Sequence, residues 1–357
     1  MNNIISLKQN KEHIYSLSGL KVIAILLMFW YHSKIPNPDI SMGSRLCEIF
    51  FVCSGFLVFY NNARKISTPT WKDSVCYWLK KVCAMYPLHI FGFLIACLLV
   101  VRSINGALLF KAILNLSFLN VWSSNPDVAM CFNGLSWFLS VLLFCYFISP
   151  LLIWLIKKAR NHYVIFGLVF LVRFGIEFVA KHYPDTVFFV LTHTNPVVRG
   201  LEFCMGMIVA AIFLSKEKKQ LSKAWGTVVE IITLLVVLGI VIIGEHHLYK
   251  AVFIPVFCVL IYVFAHQSGY VSKALSNKAF MWFSGFEFEF FMTHTLFLNI
   301  VNATYHKFGI YPHWSINSVT ALLVTVAFAW AYHKFIAKKA TKVMTTITEK
   351  MKGYIFQ

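Results

Sequence analysis

The chain has 357 residues, of which 59% are hydrophobic and only 13% charged, and its mean hydropathy is +0.71. That composition excludes an ordinary soluble enzyme and indicates an all-α, polytopic membrane protein built as one helix bundle in lipid. A formal net charge of +18 does not signify nucleic-acid binding, because the basic residues follow loop parity instead of clustering on one soluble module.

Spans long enough to cross a bilayer are expected at 17–35, 44–62, 84–103, 134–156, 163–180, 197–215, 225–244, 249–266, 280–302 and 314–336, ten in all. Residues 1–16 are expected as a cytoplasmic tail, 17–336 as the membrane domain and 337–357 as a basic cytoplasmic tail. With the N-terminus cytoplasmic, 22 of the 32 Lys and Arg residues fall on that side and 8 on the other, as the positive-inside rule requires. The polar N-terminus lacks a cleavable signal pattern, so the first span is expected to act as its own insertion signal. Ala107 to Trp122 is apolar but interrupted by Lys111, Asn115, Ser117 and Asn120, and reads as re-entrant or interfacial. Nine scattered cysteines form no CxxC pair or disulfide framework.

The first span carries Lys21 and His32 in an otherwise apolar stretch. On a helix they share a face, about three turns plus 20° and roughly 16 Å apart along the axis. Intramembrane ionisable groups mark function by default, and imidazole titrates near neutral pH. The stripe therefore offers an anion site near one surface and proton chemistry further along. A snorkelling lysine and a histidine hydrogen-bonded to a neighbouring helix are the structural alternative.

The second span opens Arg45-Leu-Cys-Glu48. Glu48 is expected either beside His32, where a carboxylate would orient the imidazole as a general base, or paired with Arg45 on its own helix. Lys80 and Lys81 end the most basic cytoplasmic loop, on the same side as Lys21, and serve either as anchors or with Lys21 as a phosphate cradle. The fourth span begins Asn133-Gly-Leu-Ser136-Trp137-Phe-Leu-Ser140, whose hydroxyls and indole suit an interfacial belt or a sugar site. Arg173 and Glu177 are spaced to neutralise each other, as are Arg199 and Glu202, and Gly206 allows close helix packing. In the ninth span Glu287 and His294 share a face while Glu289 points elsewhere. There is no HExxH, GxSxG or GxxxxGK[ST] sequence. Adjacent His246 and His247 cannot both ligate a metal from one helical face, so no metal site is expected.

Several of these segments resemble one family. Leu17-Ser-Gly-Leu-Lys21 through Tyr31-His32 resembles the Arg/Lys-x10-His signature of the membrane-bound acyltransferase 3 family. Phe50-Phe-Val-Cys-Ser54-Gly-Phe56, Trp137-Phe-Leu-Ser140, Glu202-Phe-Cys-Met-Gly206 and Phe290-Phe-Met-Thr-His294 resemble its later signatures in family order. The resemblance implies a multi-pass enzyme of the bacterial inner membrane that moves an acetyl or other acyl group from cytoplasmic acyl-CoA to a hydroxyl of a cell-surface or lipid-linked saccharide. It implies no tightly bound cofactor, with acyl-CoA as co-substrate, and it implies His32 as the catalytic residue with Lys21 as its paired cation. Two positions depart from the pattern. The family's Arg-x-x-Arg before the third span maps to Lys81 and Ala84, and a position often occupied by Glu after the fourth signature is Leu142.

The expected site therefore comprises His32 and Glu48 for catalysis and Lys21, Lys80 and Lys81 for the donor. Ser54, Asn133, Trp137, Ser140, Arg199, Glu202, Glu287 and His294 are expected around the acceptor pocket. The competing class is a transporter or flippase for a lipid-linked or small anionic substrate, in which the same stripes would mark a proton or substrate path. The chain shows no inverted repeat to favour it.

Overall fold

A computed structural model describes residues 12–33, 43–66, 68–100, 105–216, 221–244 and 248–355. The segment 34–42 and the His246–His247 pair lie outside the described residues. Among the described residues every regular element is helical. Ten long helices occupy the expected places: α1 (Tyr15–His32), α2 (Gly43–Asn62), α3 (Trp71–Val100), α4 (Ser136–Lys158), α5 (His162–Ala180), α6 (Pro196–Ser215), α7 (Lys223–Gly244), α8 (Lys250–Ala265), α9 (Glu287–Lys307) and α10 (Trp314–Tyr332). Seven helical stretches, which include all of these except α2, α8 and α9, are long and apolar enough to cross a membrane. Of the remaining three, α8 is shorter, and α2 and α9 carry charged residues of the site.

Three boundaries differ from those the sequence suggests. α3 starts at Trp71 and continues through Pro87, so Lys80 and Lys81 are helical positions and not loop residues. The ninth span is broken at Gly285-Phe286 into a short helix, Lys278–Ser284, and α9. The basic C-terminal segment continues from a π-helical turn, His333–Ala337, as a helix over Lys338–Ile355. This helix packs on α3, where Cys83 Sγ lies 3.4 Å from Thr348 Oγ1. The interrupted apolar piece becomes a helix, Gly106–Leu116, capped by the Asn105 side chain, which accepts the Leu108 N–H. At about 1.5 Å per residue it is too short to cross a bilayer.

Local capping sets two elements that later matter. Asn161 accepts the N–H groups of Tyr163 and Val164 to start α5. Asn195 accepts those of Val197 and Val198, with Pro196 at the first helical position of α6.

The centre of the bundle is the crossing of α2 and α6. A Cβ added to Gly55 would strike the Phe203 carbonyl, and one added to Gly206 would strike the Val52 carbonyl. Each glycine thus seats the other helix's backbone. Gly206→Ala is expected to force the helices apart at a cost of about 1–3 kcal/mol, read as a lowered unfolding temperature in detergent. Gly175→Ala in α5, where nothing stands within 4 Å of the added methyl, should leave that temperature unchanged or raise it.

Candidate active site

The two polar patches read separately from the sequence form one site. α1 and α9 lie side by side and run in the same direction, so their polar residues meet at two levels. Lys21 Nζ pairs with Glu287 Oε1 nearer the start of both helices. Further along, His32 Nδ1 lies 2.9 Å from His294 Nε2.

The hydrogen bonds assign the tautomers of the neutral rings. His294 Nδ1 lies 2.7 Å from the Phe291 carbonyl, which can only accept, so Nδ1 carries the proton and Nε2 holds a lone pair. His32 Nδ1 faces that lone pair and is therefore its donor. The lone pair of His32 is left on Nε2. Phe290 stacks on His294 with centroids 6.0 Å apart, and Phe29 packs at 6.1 Å. This is the arrangement of a general base oriented from behind, with a second imidazole in the place where the sequence suggested Glu48.

His32 lines a cavity of about 570 Å³ together with Tyr31, Trp137, His193, Lys250 and Asn299. A second cavity, of about 310 Å³, also touches His32 and Asn299. Sequence reasoning missed His193 and Lys250. His193 lies in a π-helical turn, Val190–Thr194, a distortion common at functional sites. Its ring is held between Trp137 (4.5 Å) and Phe189 (4.8 Å). Arg199 Nε donates to the His193 carbonyl at 2.8 Å, and an Arg199 terminal nitrogen lies 3.3 Å from His193 Nδ1. A guanidinium only donates, so Nδ1 accepts and Nε2 carries the proton.

Behind the cavity lies a buried charge network. Arg199 donates to Glu48 at 3.1 Å and to both oxygens of Glu202 at 3.0 and 2.8 Å. Arg173 donates to Glu202 at 3.1 Å and to Glu177 at 3.0 Å. All five side chains are at most 1% exposed. Glu177 also accepts the backbone N–H groups of Lys250 and Ala251 at 2.7 and 2.8 Å, capping α8 from α5.

Glu48 is thereby removed from the role expected of it beside His32. A carboxylate buried with a guanidinium gains more than one hydrogen-bonded to a neutral ring. The i, i+4 pairing of Arg173 with Glu177 and the i, i+3 pairing of Arg199 with Glu202 are both present, joined through Glu202. Of the other expected residues, Trp137 lines the cavity. Asn133 donates to the Met292 carbonyl at 2.9 Å, and Ser140 donates to Asn120 at 2.8 Å; both hold helices and loops together. Ser54 is half-buried on α2. Lys21 is committed to Glu287. Lys81 lies over the rings of Tyr146 (4.2 Å) and Tyr77 (5.4 Å), and Lys80 is exposed. Among the described residues no group of His, Cys, Asp and Glu side chains is arranged to hold a metal.

Comparison with known proteins matches residues 14–334 to the model of an acyltransferase domain. Acyltransferase MdmB of Streptomyces mycarofaciens is 25% identical over 228 residues, 55% of this chain and 57% of that protein. The chain thus spans little more than half the length of that relative. No solved structure matches the chain.

Proposed function

The chain belongs to the acyltransferase 3 family, whose model it matches over residues 14–334, and from that premise we propose that it is an integral-membrane O-acyltransferase moving an acyl group from acyl-CoA to a saccharide hydroxyl. The observation that carries this reading is the histidine pair, which leaves the lone pair of His32 on Nε2 in a ring that lines a cavity large enough for a small ligand. His32 Nε2 takes the hydroxyl proton as the acceptor oxygen attacks the thioester carbonyl. The new C–O bond forms, the C–S bond breaks, and the proton passes from His32 to the departing thiolate. The products are the ester and free CoA.

The donor enters from the side of the basic tails, where Lys21 is the cation at the nearer end of the α1 stripe, with Lys80 and Lys81 on α3. The acceptor enters from the opposite face of a bacterial inner membrane. Because Lys21 already holds Glu287, an incoming phosphate exchanges with a carboxylate and does not meet a bare ammonium.

The ester content of envelope glycans, measured by NMR in cells lacking the gene and complemented with wild type or His32→Ala at matched membrane levels, tests the reading. Ester signals are expected with wild type alone. Equal signals with His32→Ala would remove His32 from catalysis, and no change with any variant would move a transporter or flippase to the front.

A further inference from the structure

The cavity at His32 contains one fixed positive charge and, among its described lining residues, no carboxylate. That charge is Lys250. Its backbone N–H is fixed by Glu177 at 2.7 Å, so the network behind the cavity sets where the side chain begins. Glu48 and Glu177 attract the ammonium, but no carboxylate of this network is close enough to form an ion pair with it. Three guanidinium groups, Arg45, Arg173 and Arg199, stand with three carboxylates, Glu48, Glu177 and Glu202. Among these described residues Lys250 is a further cation. Its Nζ lies 5.4 Å from the Phe188 ring, and no carboxylate of the described residues forms an ion pair with it.

A cation held in such a cavity with no ion-pair partner among the described residues is costly. The cost is offset when the ligand brings the missing charge. The remaining walls suit a carbohydrate. Tyr31 is exposed beside the cavity, and Asn299 lines both this cavity and the second, whose lining adds Asn302, Asn317 and Trp314. The two cavities, which share His32 and Asn299, measure about 570 and 310 Å³.

Building on the acyl-transfer reading, we propose that the acceptor is an anionic saccharide, whose carboxylate, phosphate or sulfate pairs with Lys250 Nζ while a hydroxyl of the same or adjoining sugar lies against His32 Nε2. The ion pair selects the acceptor and fixes which hydroxyl reaches the base.

Binding to the purified full-length protein in detergent tests this apart from catalysis. The probes are galacturonate and sialate oligosaccharides beside their methyl esters, and a phosphorylated mannan fragment beside its dephosphorylated form. At least one anionic probe is expected to bind about tenfold or more tighter than its neutral counterpart. Lys250→Met should erase that preference and Lys250→Arg restore it. Raising the salt toward about 1 M should weaken the anionic probe and spare the neutral one, an arm that needs no variant. Neutral forms binding as tightly as charged ones, or an unchanged preference in Lys250→Met, would overturn the proposal. Charge-selective binding without His32-dependent ester formation would sink the acyl-transfer reading alone. His32-dependent acylation of a neutral glycan, equal in wild type and Lys250→Met, would sink the anionic acceptor alone.

Discussion

Acyl transfer is expected to fall by about 10² to 10⁴-fold or more when His32 is replaced by Ala, with membrane level and unfolding temperature unchanged. The ring is partly exposed to the cavity, and its hydrogen bond to another side chain runs to His294. His294→Ala should also lower transfer although it leaves His32 in place, because the ring then keeps only its hydrogen bond to the Met28 backbone and loses the imidazole that orients it. The double variant should be no worse than His32→Ala alone, since residues acting as one unit are not additive. His294→Gln, which retains an acceptor oxygen, should recover part of the loss. Single-turnover transfer from labelled acetyl-CoA in isolated membranes gives these numbers. Losses that multiply across the two positions would mean that His294 does not act through His32.

The second large effect is on stability. Arg199→Met should destabilise the protein by about 3–5 kcal/mol, because Glu48 and Glu202 are left buried without their shared guanidinium. Glu48→Gln should cost much less, since Arg199 keeps both oxygens of Glu202. Arg199 also holds His193 by its carbonyl and its Nδ1, so the variant should disturb the cavity wall as well. Unfolding in increasing SDS separates the cases. Equal losses for Arg199→Met and Glu48→Gln would show that the guanidinium is not the hub.

The helical register of the polar residues was legible in the sequence, and their partners were not. Lys21 with His32, and Glu287 with His294, could each be placed on one face by spacing alone. That the two faces meet could not be read, because the paired residues are 266 and 262 positions apart in the chain, and helix periodicity says nothing about which helix is the neighbour. Proximity in sequence offers Glu48 either His32 or Arg45 as a partner, whereas α2 presents it to Arg199 of α6.

His193 fell in what reads as a loop before the sixth span. A histidine inside Phe188-Phe-Val-Leu-Thr-His193, just ahead of the Asn195-Pro196 cap, is the signal that could have revealed a continued helical turn. Lys250 counted only as a loop charge, and nothing local shows that a loop-edge lysine turns into a cavity. The C-terminal helix was obscured by its charge. Six basic residues from Lys334 to Lys352 read as a solvated tail, while apolar Val343 and Ile347, four apart, mark a helical face.

The glycine seats between α2 and α6 also decide which parts of the molecule can move. Two backbones locked into each other at two points cannot slide or roll, so these helices and the residues they carry behave as one rigid plate. Across the cavity, α1 and α9 touch in the polar stripe through side chains alone, at an ammonium–carboxylate pair and an imidazole pair, and such contacts can lengthen or re-form. A widening of the cavity at His32 is therefore expected to displace α1 and α9 while the α2–α6 crossing stays fixed, and it would carry His32 with it.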